Sequence, residues 1–100
     1  MKKKEYKFVP AYHEWHFVDE EGNILLVWDD PVDDLFYATP TPSTVEEVWD
    51  ICHDFYLSVH NAFEEGEQEY NGITAEEFSK LPPNCEDIMA QALYNYYIEP

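Results

Sequence analysis

Arginine is absent from this sequence, and five lysines stand against 22 acidic residues, which gives a formal net charge of −17 at pH 7. Four of the five lysines lie in the first seven residues, so Lys80 is the only lysine in residues 8–100. Proteins that hold nucleic acid or an anionic membrane over a broad surface need clustered lysine and arginine. The composition therefore excludes a protein that itself binds either of them in this way.

Long apolar runs and cysteines are also scarce. The longest apolar run, residues 24–28, has the length of a strand and falls far short of the ~18 residues of a membrane span. No signal peptide is visible. The two cysteines, Cys52 and Cys85, are typical of a protein with reduced thiols, although a bridge between them stays open here. These features predict a cytoplasmic protein.

The motifs that carry catalysis or bind cofactors are missing too. The three glycines are far apart and form no phosphate-binding loop, and neither HExxH nor CxxC occurs. His13 and His16 point to opposite faces of a predicted strand. His53 and His60 stand about 10 Å apart on a predicted helix, too far to share one metal ion. We therefore predict no catalytic residue, no cofactor and no metal site; a metal-dependent or carboxylate-based enzyme is the weaker alternative.

The residues that are present predict a single folded domain. One hundred residues, 45% of them hydrophobic and 17% aromatic, are enough for one compact core and too few for two. No repeat or change in composition marks a second domain, so we assign residues 1–100 to one domain. Residues 1–5, rich in lysine, are expected to form a flexible tail.

The amino-terminal third has the alternation and turn chemistry of β-structure. In residues 13–18, Trp15 and Phe17 fall on one face, as the period of two requires for a half-buried strand. The loop at residues 19–23 contains Gly22 and joins this strand to the fully apolar residues 24–28, which predicts a β-hairpin with a buried central strand. Two further strands are predicted at residues 6–9, ending before Pro10, and at residues 35–38.

A long amphipathic helix is predicted to follow. Ser43 and Thr44 each stand three residues before a glutamate, Glu46 or Glu47, as in a capping box. One helical face carries the apolar residues Val45, Val48, Trp49, Cys52, Phe55, Tyr56, Val59 and Phe63. The end of the helix is left open, at Glu65 before Gly66 or at Tyr70.

Two shorter helices complete the prediction. Thr74 with Glu77 caps residues 74–81, which end at a proline pair. Asn84 caps a last helix whose apolar stripe is Cys85, Ile88, Met89, Ala92, Leu93 and Tyr96. The predicted fold class is α+β: an antiparallel β-hairpin or three-stranded sheet, packed by one long and two shorter helices.

The acidic residues are grouped along the chain. Like charges at this density cost stability, so their grouping calls for a reason beyond solubility. Glu46, Asp50 and Asp54 repeat at one-turn spacing, about 6 Å along the helix axis, and a basic channel that tracks phosphates would complement such a line of charge. The predicted partner-binding acids are Asp29, Asp30, Asp33, Asp34, Glu46, Glu47, Asp50, Asp54, Glu64, Glu65, Glu67 and Glu69.

In size and charge, the chain resembles two groups of small acidic inhibitors. One is the phage anti-defence proteins of the anti-CRISPR and anti-restriction type, several of which mimic nucleic acid; the other is the immunity proteins that neutralise nuclease toxins. The resemblance implies a basic, nucleic-acid-handling protein as the partner. We predict a non-enzymatic inhibitor that blocks the nucleic-acid channel of such a protein, with the immunity protein as the alternative.

Eight tyrosines and three tryptophans exceed what a core of this size hides. Because Tyr96 continues the stripe of the last helix, Tyr94 and Tyr97 are expected to face outward and to bind a partner. This leaves a further alternative, an interaction subunit that binds through aromatic residues and uses its charge for solubility only. The sequence is compatible with a monomer or a dimer.

Overall fold

The computed structural model describes residues 5–99, and it has the α+β fold class that the sequence predicts. Three antiparallel strands, β1 (Lys7–Ala11), β2 (Glu14–Val18) and β3 (Ile24–Asp29), form a sheet in the order β1-β2-β3. Helices and a small second hairpin follow. Most of the predicted tail lies outside the described residues.

Side-chain alternation in β2 is as predicted, but the positions of the neighbouring strands differ. Trp15 and Phe17 are buried, while the residues between and beside them are half-buried. The central strand is β2 rather than the apolar β3, which is buried because it also contacts later elements of the chain. Strand β1 continues through Pro10, which is exposed and paired with Trp15 at an edge where proline is tolerated.

The strand predicted at residues 35–38 is wrong, because the chain forms a short helix, α1 (Pro31–Phe36), in its place. Pro31 stands in the first helical turn, where its fixed φ is already suitable, and Leu35 turns inward and is fully buried. A run of four apolar residues does not distinguish a strand from one buried turn of helix. The third strand of the sheet is instead β1.

The long helix α2 (Val45–Glu64) begins where the sequence places it. Thr44 is the N-cap residue, and its hydroxyl accepts a hydrogen bond from the Glu47 backbone N–H at 3.2 Å. The Glu47 carboxylate in turn accepts from the backbone N–H of Ser43 at 3.2 Å. Of the two predicted capping pairs, Thr44 with Glu47 is therefore the one that forms. Val48, Cys52 and Val59 form the buried centre of the apolar face.

Gly66 ends α2, so the alternative end at Tyr70 is wrong. Its φ of +106° belongs to the left-handed region and closes a Schellman motif. In this motif the Gly66 N–H donates to the Phe63 carbonyl, and the Glu67 N–H donates to the Ala62 carbonyl. Tyr70 belongs to a small hairpin, β4 (Glu69–Tyr70) and β5 (Ile73–Thr74), joined by an Asn-Gly turn of the kind that favours two-residue hairpin loops.

Replacement of Gly66 by alanine is expected to destabilise the fold. A Cβ in the left-handed region costs about 1–2 kcal/mol, although nothing lies within 4 Å of the added carbon. Urea unfolding followed by circular dichroism measures the loss. Ser58→Ala, at an exposed position in the middle of α2, is the control. Equal stability of Gly66→Ala and the parent protein would contradict the proposed role of the left-handed end.

Two helices shorter than α2 follow the small hairpin. The capping box of Thr74 with Glu77 is complete, but α3 (Ala75–Phe78) is shorter than the predicted 74–81. Helix α4 (Cys85–Leu93) packs against α2 and runs directly into one π-helical turn, Tyr94–Ile98. Residues 5–99 contain no helix of the length and apolarity needed to cross a bilayer.

One hydrophobic core joins the sheet to the helices. The three-stranded sheet contributes four buried aromatic residues and α3 contributes a fifth, while α2 and α4 contribute aliphatic and sulfur-containing residues. The buried members of this core are Phe8, Trp15, Phe17, Leu26, Val27, Trp28, Leu35, Val48, Cys52, Val59, Ile73, Phe78, Cys85, Met89, Ala90 and Leu93. The core fixes the orientation of α1 and α2, which carry most of the predicted partner-binding acids.

Candidate partner-binding surface

Ten of the twelve predicted partner-binding acids are exposed. The two exceptions are half-buried, and both have local structural roles. Glu47 holds the N-cap of α2, where hydrogen bonds from Ser43 and Thr44 keep the pKa of its carboxyl below the usual value. Asp30 adopts a φ of +47° at the start of α1, and its backbone N–H donates to the His13 carbonyl at 2.9 Å. The other ten carboxylates are accessible to a partner.

The exposed acids of α2 lie along one side of a rigid, capped helix. Glu46, Asp50 and Asp54 occupy successive turns, about 6 Å apart along the axis. Their opposite face is fixed by buried core residues. The positions from which these carboxylates project are therefore fixed by the helix, which reduces the ordering cost of binding.

A groove joins the acids of α1 to those of α2. Asp34 and Asp54 both line it, with Trp28, Phe55 and Tyr70 among the residues between them, and its volume is about 450 Å³. Asp34 is positioned by the indole of Trp28, whose Nε1–H donates to its Oδ2 at 2.9 Å. The structure thus brings together two acidic groups that are 20 residues apart in the sequence.

Few bases neutralise these acids. Among residues 5–99, the contacts of 4.0 Å or less between a basic group and a carboxylate are three histidine–glutamate pairs. Only one of them involves a predicted partner-binding acid, Glu64, whose Oε1 lies 3.7 Å from His60 Nε2. The described part of the surface therefore presents negative charge that other side chains do not compensate.

A third acidic group surrounds the carboxyl end of α2. Glu64 and Glu65 occupy the last helical position and the C-cap, and Glu67 and Glu69 follow. The partial negative charge of a helix C-terminus disfavours carboxylates by several tenths of a kcal/mol each. These acids therefore do not serve the stability of the helix, and the structure does not place them on the groove described above.

Within residues 5–99, no three His, Cys, Asp or Glu side chains stand close enough together to hold a metal ion. The chain matches no protein-family model, no curated protein and no solved structure.

His53 is engaged by Glu86 of α4 and stacks on Trp49, with ring centroids 4.9 Å apart, so it joins the two helices.

The carboxy-terminal tyrosines are arranged differently from the prediction. Tyr96 was expected to continue the apolar stripe, but it is 56% exposed. Tyr94 and Tyr97 are half-buried and pack against the core, and the Tyr97 hydroxyl accepts from Trp15 Nε1–H at 3.2 Å. The π-helical turn is the cause, because it rotates each residue less than an α-helix does and shifts the inward register.

An aromatic patch, formed by the exposed Phe36 and Tyr96 and the half-buried Tyr97, lies beside the carboxyl end of α1. The ring centroids of Phe36 and Tyr97 are 6.2 Å apart, and those of Tyr96 and Tyr97 are 4.8 Å apart. Phe36 is 50% exposed. Phe36 was not among the predicted partner-binding residues, because the apolar run at residues 35–38 favoured a strand there. Only the general excess of aromatic residues indicated such a patch.

Both cysteines are buried free thiols between α2 and α4, so the bridge left open by the sequence is absent. Burial raises the pKa of Cys52 far above the usual value, and the Glu86 carboxylate raises it further. Burial likewise raises the pKa of Cys85 to about 12, with a second contribution from Glu86. Buried neutral thiols of this kind act as small hydrophobic residues.

The thiols predict a loss of stability in alkaline solution. A folded-state pKa above the unfolded value favours the protonated native state, so the stabilisation is complete below the unfolded thiol pKa of about 8.5. It is lost as pH rises towards the folded value, at up to about 1.4 kcal/mol per pH unit for each thiol. Urea unfolding between about pH 8 and 10 measures this slope. A Cys52→Ala variant should show a shallower slope, and an unchanged slope would contradict the assignment.

Proposed function

We propose that this protein is a non-enzymatic inhibitor that binds a basic, nucleic-acid-handling protein and occupies its nucleic-acid channel. The acids of α1 and α2 stand in for the phosphate backbone. A cytoplasmic nuclease or defence complex fits this role, since its channel carries the clustered lysine and arginine that this chain lacks.

The observation that carries the proposal is the line of accessible carboxylates on α2, joined to those of α1 at a shared groove. Glu46, Asp50 and Asp54 project from successive turns, and Asp34 and Asp54 both line the groove. Uncompensated charge of one sign steers an oppositely charged partner and accelerates encounter. Charge placed only for solubility has no need of such an ordered array.

Capture of the partner followed by competition tests the proposal. The tagged protein is incubated with a lysate of the source cells at about 50 mM salt, where the screening length exceeds 10 Å. Bound proteins are identified by mass spectrometry and purified. The purified partner is then offered labelled duplex DNA or RNA with increasing amounts of the inhibitor. We expect the nucleic acid to be displaced competitively, and binding of the inhibitor to weaken steeply as salt increases.

Two outcomes would contradict this function. One is a partner that keeps its full affinity for nucleic acid while the acidic protein is bound. The other is an affinity between the two proteins that does not change with salt. If the partner is a nuclease toxin encoded beside this protein, the immunity-protein alternative is the specific form of the same function.

The aromatic patch supports a second candidate, an interaction subunit in which charge serves solubility only. Phe36 and Tyr96 are each at least half exposed, and tyrosine is favoured at binding hot spots. In that case Tyr96→Ala abolishes binding to the captured partner. Conversion of Asp50 and Asp54 to asparagine then leaves binding intact, which is the opposite of the result expected from nucleic-acid mimicry.

A further inference from the structure

The groove between α1, α2 and β4 combines aromatic side chains with carboxylates. Its lining includes the aromatic side chains of Trp28, Phe55 and Tyr70, and its carboxylates, Asp34 and Asp54, come from different helices. Its volume of about 450 Å³ lies within the range of pockets that hold small organic groups. The groove is therefore more than a cluster of acids.

The side chains of the groove are held in place by the fold. Trp28 is 2% exposed and stacks on Phe55, with ring centroids 4.2 Å apart and planes inclined by 3°. Tyr70 meets Phe55 edge to face at 6.3 Å. The Trp28 indole donates to one carboxylate oxygen of Asp34 and leaves the other oxygen available for a ligand. An occupant would find its contacts largely preorganised.

From this geometry we propose that the groove receives an arginine side chain of the partner. The proposal rests on the function proposed above and names the group that this function would recognise. A guanidinium is planar, stacks on aromatic rings and donates hydrogen bonds to carboxylates in a fixed fork. The half-buried rings of Phe55 and Tyr70 offer apolar contact to its plane and the two carboxylates match its edge, while the enclosed Trp28 acts by holding Asp34. A lysine ammonium matches only the charge.

A short peptide tests the groove independently of the whole partner. The probe is acetyl-Gly-Arg-Gly-amide, titrated into the isotope-labelled full chain at constant ionic strength while the three tryptophan indole N–H signals are followed by NMR. Trp28→Phe identifies the Trp28 signal. We expect a saturable shift of the Trp28 signal and little change at Trp15 or Trp49. The peptide with citrulline in place of arginine should produce no such shift.

Matched variants locate the binding. Asp54→Asn should weaken the binding of the arginine peptide by about two- to fivefold, the range for one exposed ion pair. Glu21→Gln removes the same charge from the β2–β3 loop and should leave the affinity unchanged. A response spread over all three tryptophans, an equal response to acetyl-Gly-Lys-Gly-amide titrated in the same way, or equal effects of the two variants would overturn the proposal.

The outcome is separable from that of the proposed function. If the groove fails to bind the peptide while the partner still loses its nucleic acid, only the arginine site is overturned. If the groove binds the peptide while the partner keeps its nucleic acid, the arginine site is supported and the inhibitory function is overturned.

Discussion

Reversal of the charges at Asp50 and Asp54 to lysine is expected to slow association with the captured partner by about ten- to hundredfold at low salt. Both residues are exposed on successive turns of α2, and Asp54 also lines the groove. Under the proposed function the field of the surface steers the encounter, so the loss should appear mainly in the association rate. Surface plasmon resonance at two salt concentrations measures it, and the difference should shrink as salt screens the field.

The same charge change placed elsewhere is the control. Glu20 and Glu21 lie exposed in the β2–β3 loop, and their conversion to lysine alters the net charge of the chain by the same amount. If the partner recognises the line of acids on α2, this control has the smaller effect. Equal slowing by both double variants would show that the partner responds to overall charge, and the ordered array would then have no specific role.

Truncation of Trp28 to alanine is expected to cost about 3–5 kcal/mol of unfolding free energy, the usual range for a buried tryptophan. Trp28 is fully enclosed, stacks on Phe55 and donates a hydrogen bond to Asp34. The whole unfolding free energy of a domain of this size is only about 5–15 kcal/mol. The variant should therefore melt some 12–40 °C lower, since each kcal/mol shifts the midpoint by about 4–8 °C. Calorimetry measures the change.

Two variants separate the contributions of Trp28. Trp49 is half-buried and stacks on His53, so Trp49→Ala removes the same chemical group from a less enclosed position and should cost markedly less. Trp28→Phe keeps an aromatic ring against Phe55 but loses the indole donor, and its stability should fall between those of the parent and Trp28→Ala. Equal stability losses for Trp28→Ala and Trp49→Ala would argue against Trp28 as a central element of the core.

Local patterns in the sequence predicted those elements whose causes are also local. The cap at Thr44, the capping box of Thr74 with Glu77, and the alternation of Trp15 and Phe17 each depend on neighbours within a few residues. These features are present in the structure. The fold class followed from them, because a hairpin and an amphipathic helix leave few ways to bury their apolar faces.

The errors arose where packing or helix geometry overrides the local pattern. Residues 35–38 read equally well as a strand or a helical turn, and burial of Leu35 against the core decided the matter. Tyr96 faces outward because of a π-helical turn, which the apolar periodicity of the sequence does not predict. The groove could not be predicted for a related reason, since Asp34 and Asp54 come to line one groove only through tertiary structure.

Strand β1 at the margin of the sheet has a consequence for self-association. Its exposed Pro10 has no N–H to donate, so an incoming strand from another copy would lack a hydrogen bond at this position. Two such molecules would also repel each other, because each carries a formal charge of −17. The acidity that we propose attracts a basic target therefore also acts with this single proline to disfavour edge-to-edge pairing of the sheets of two molecules.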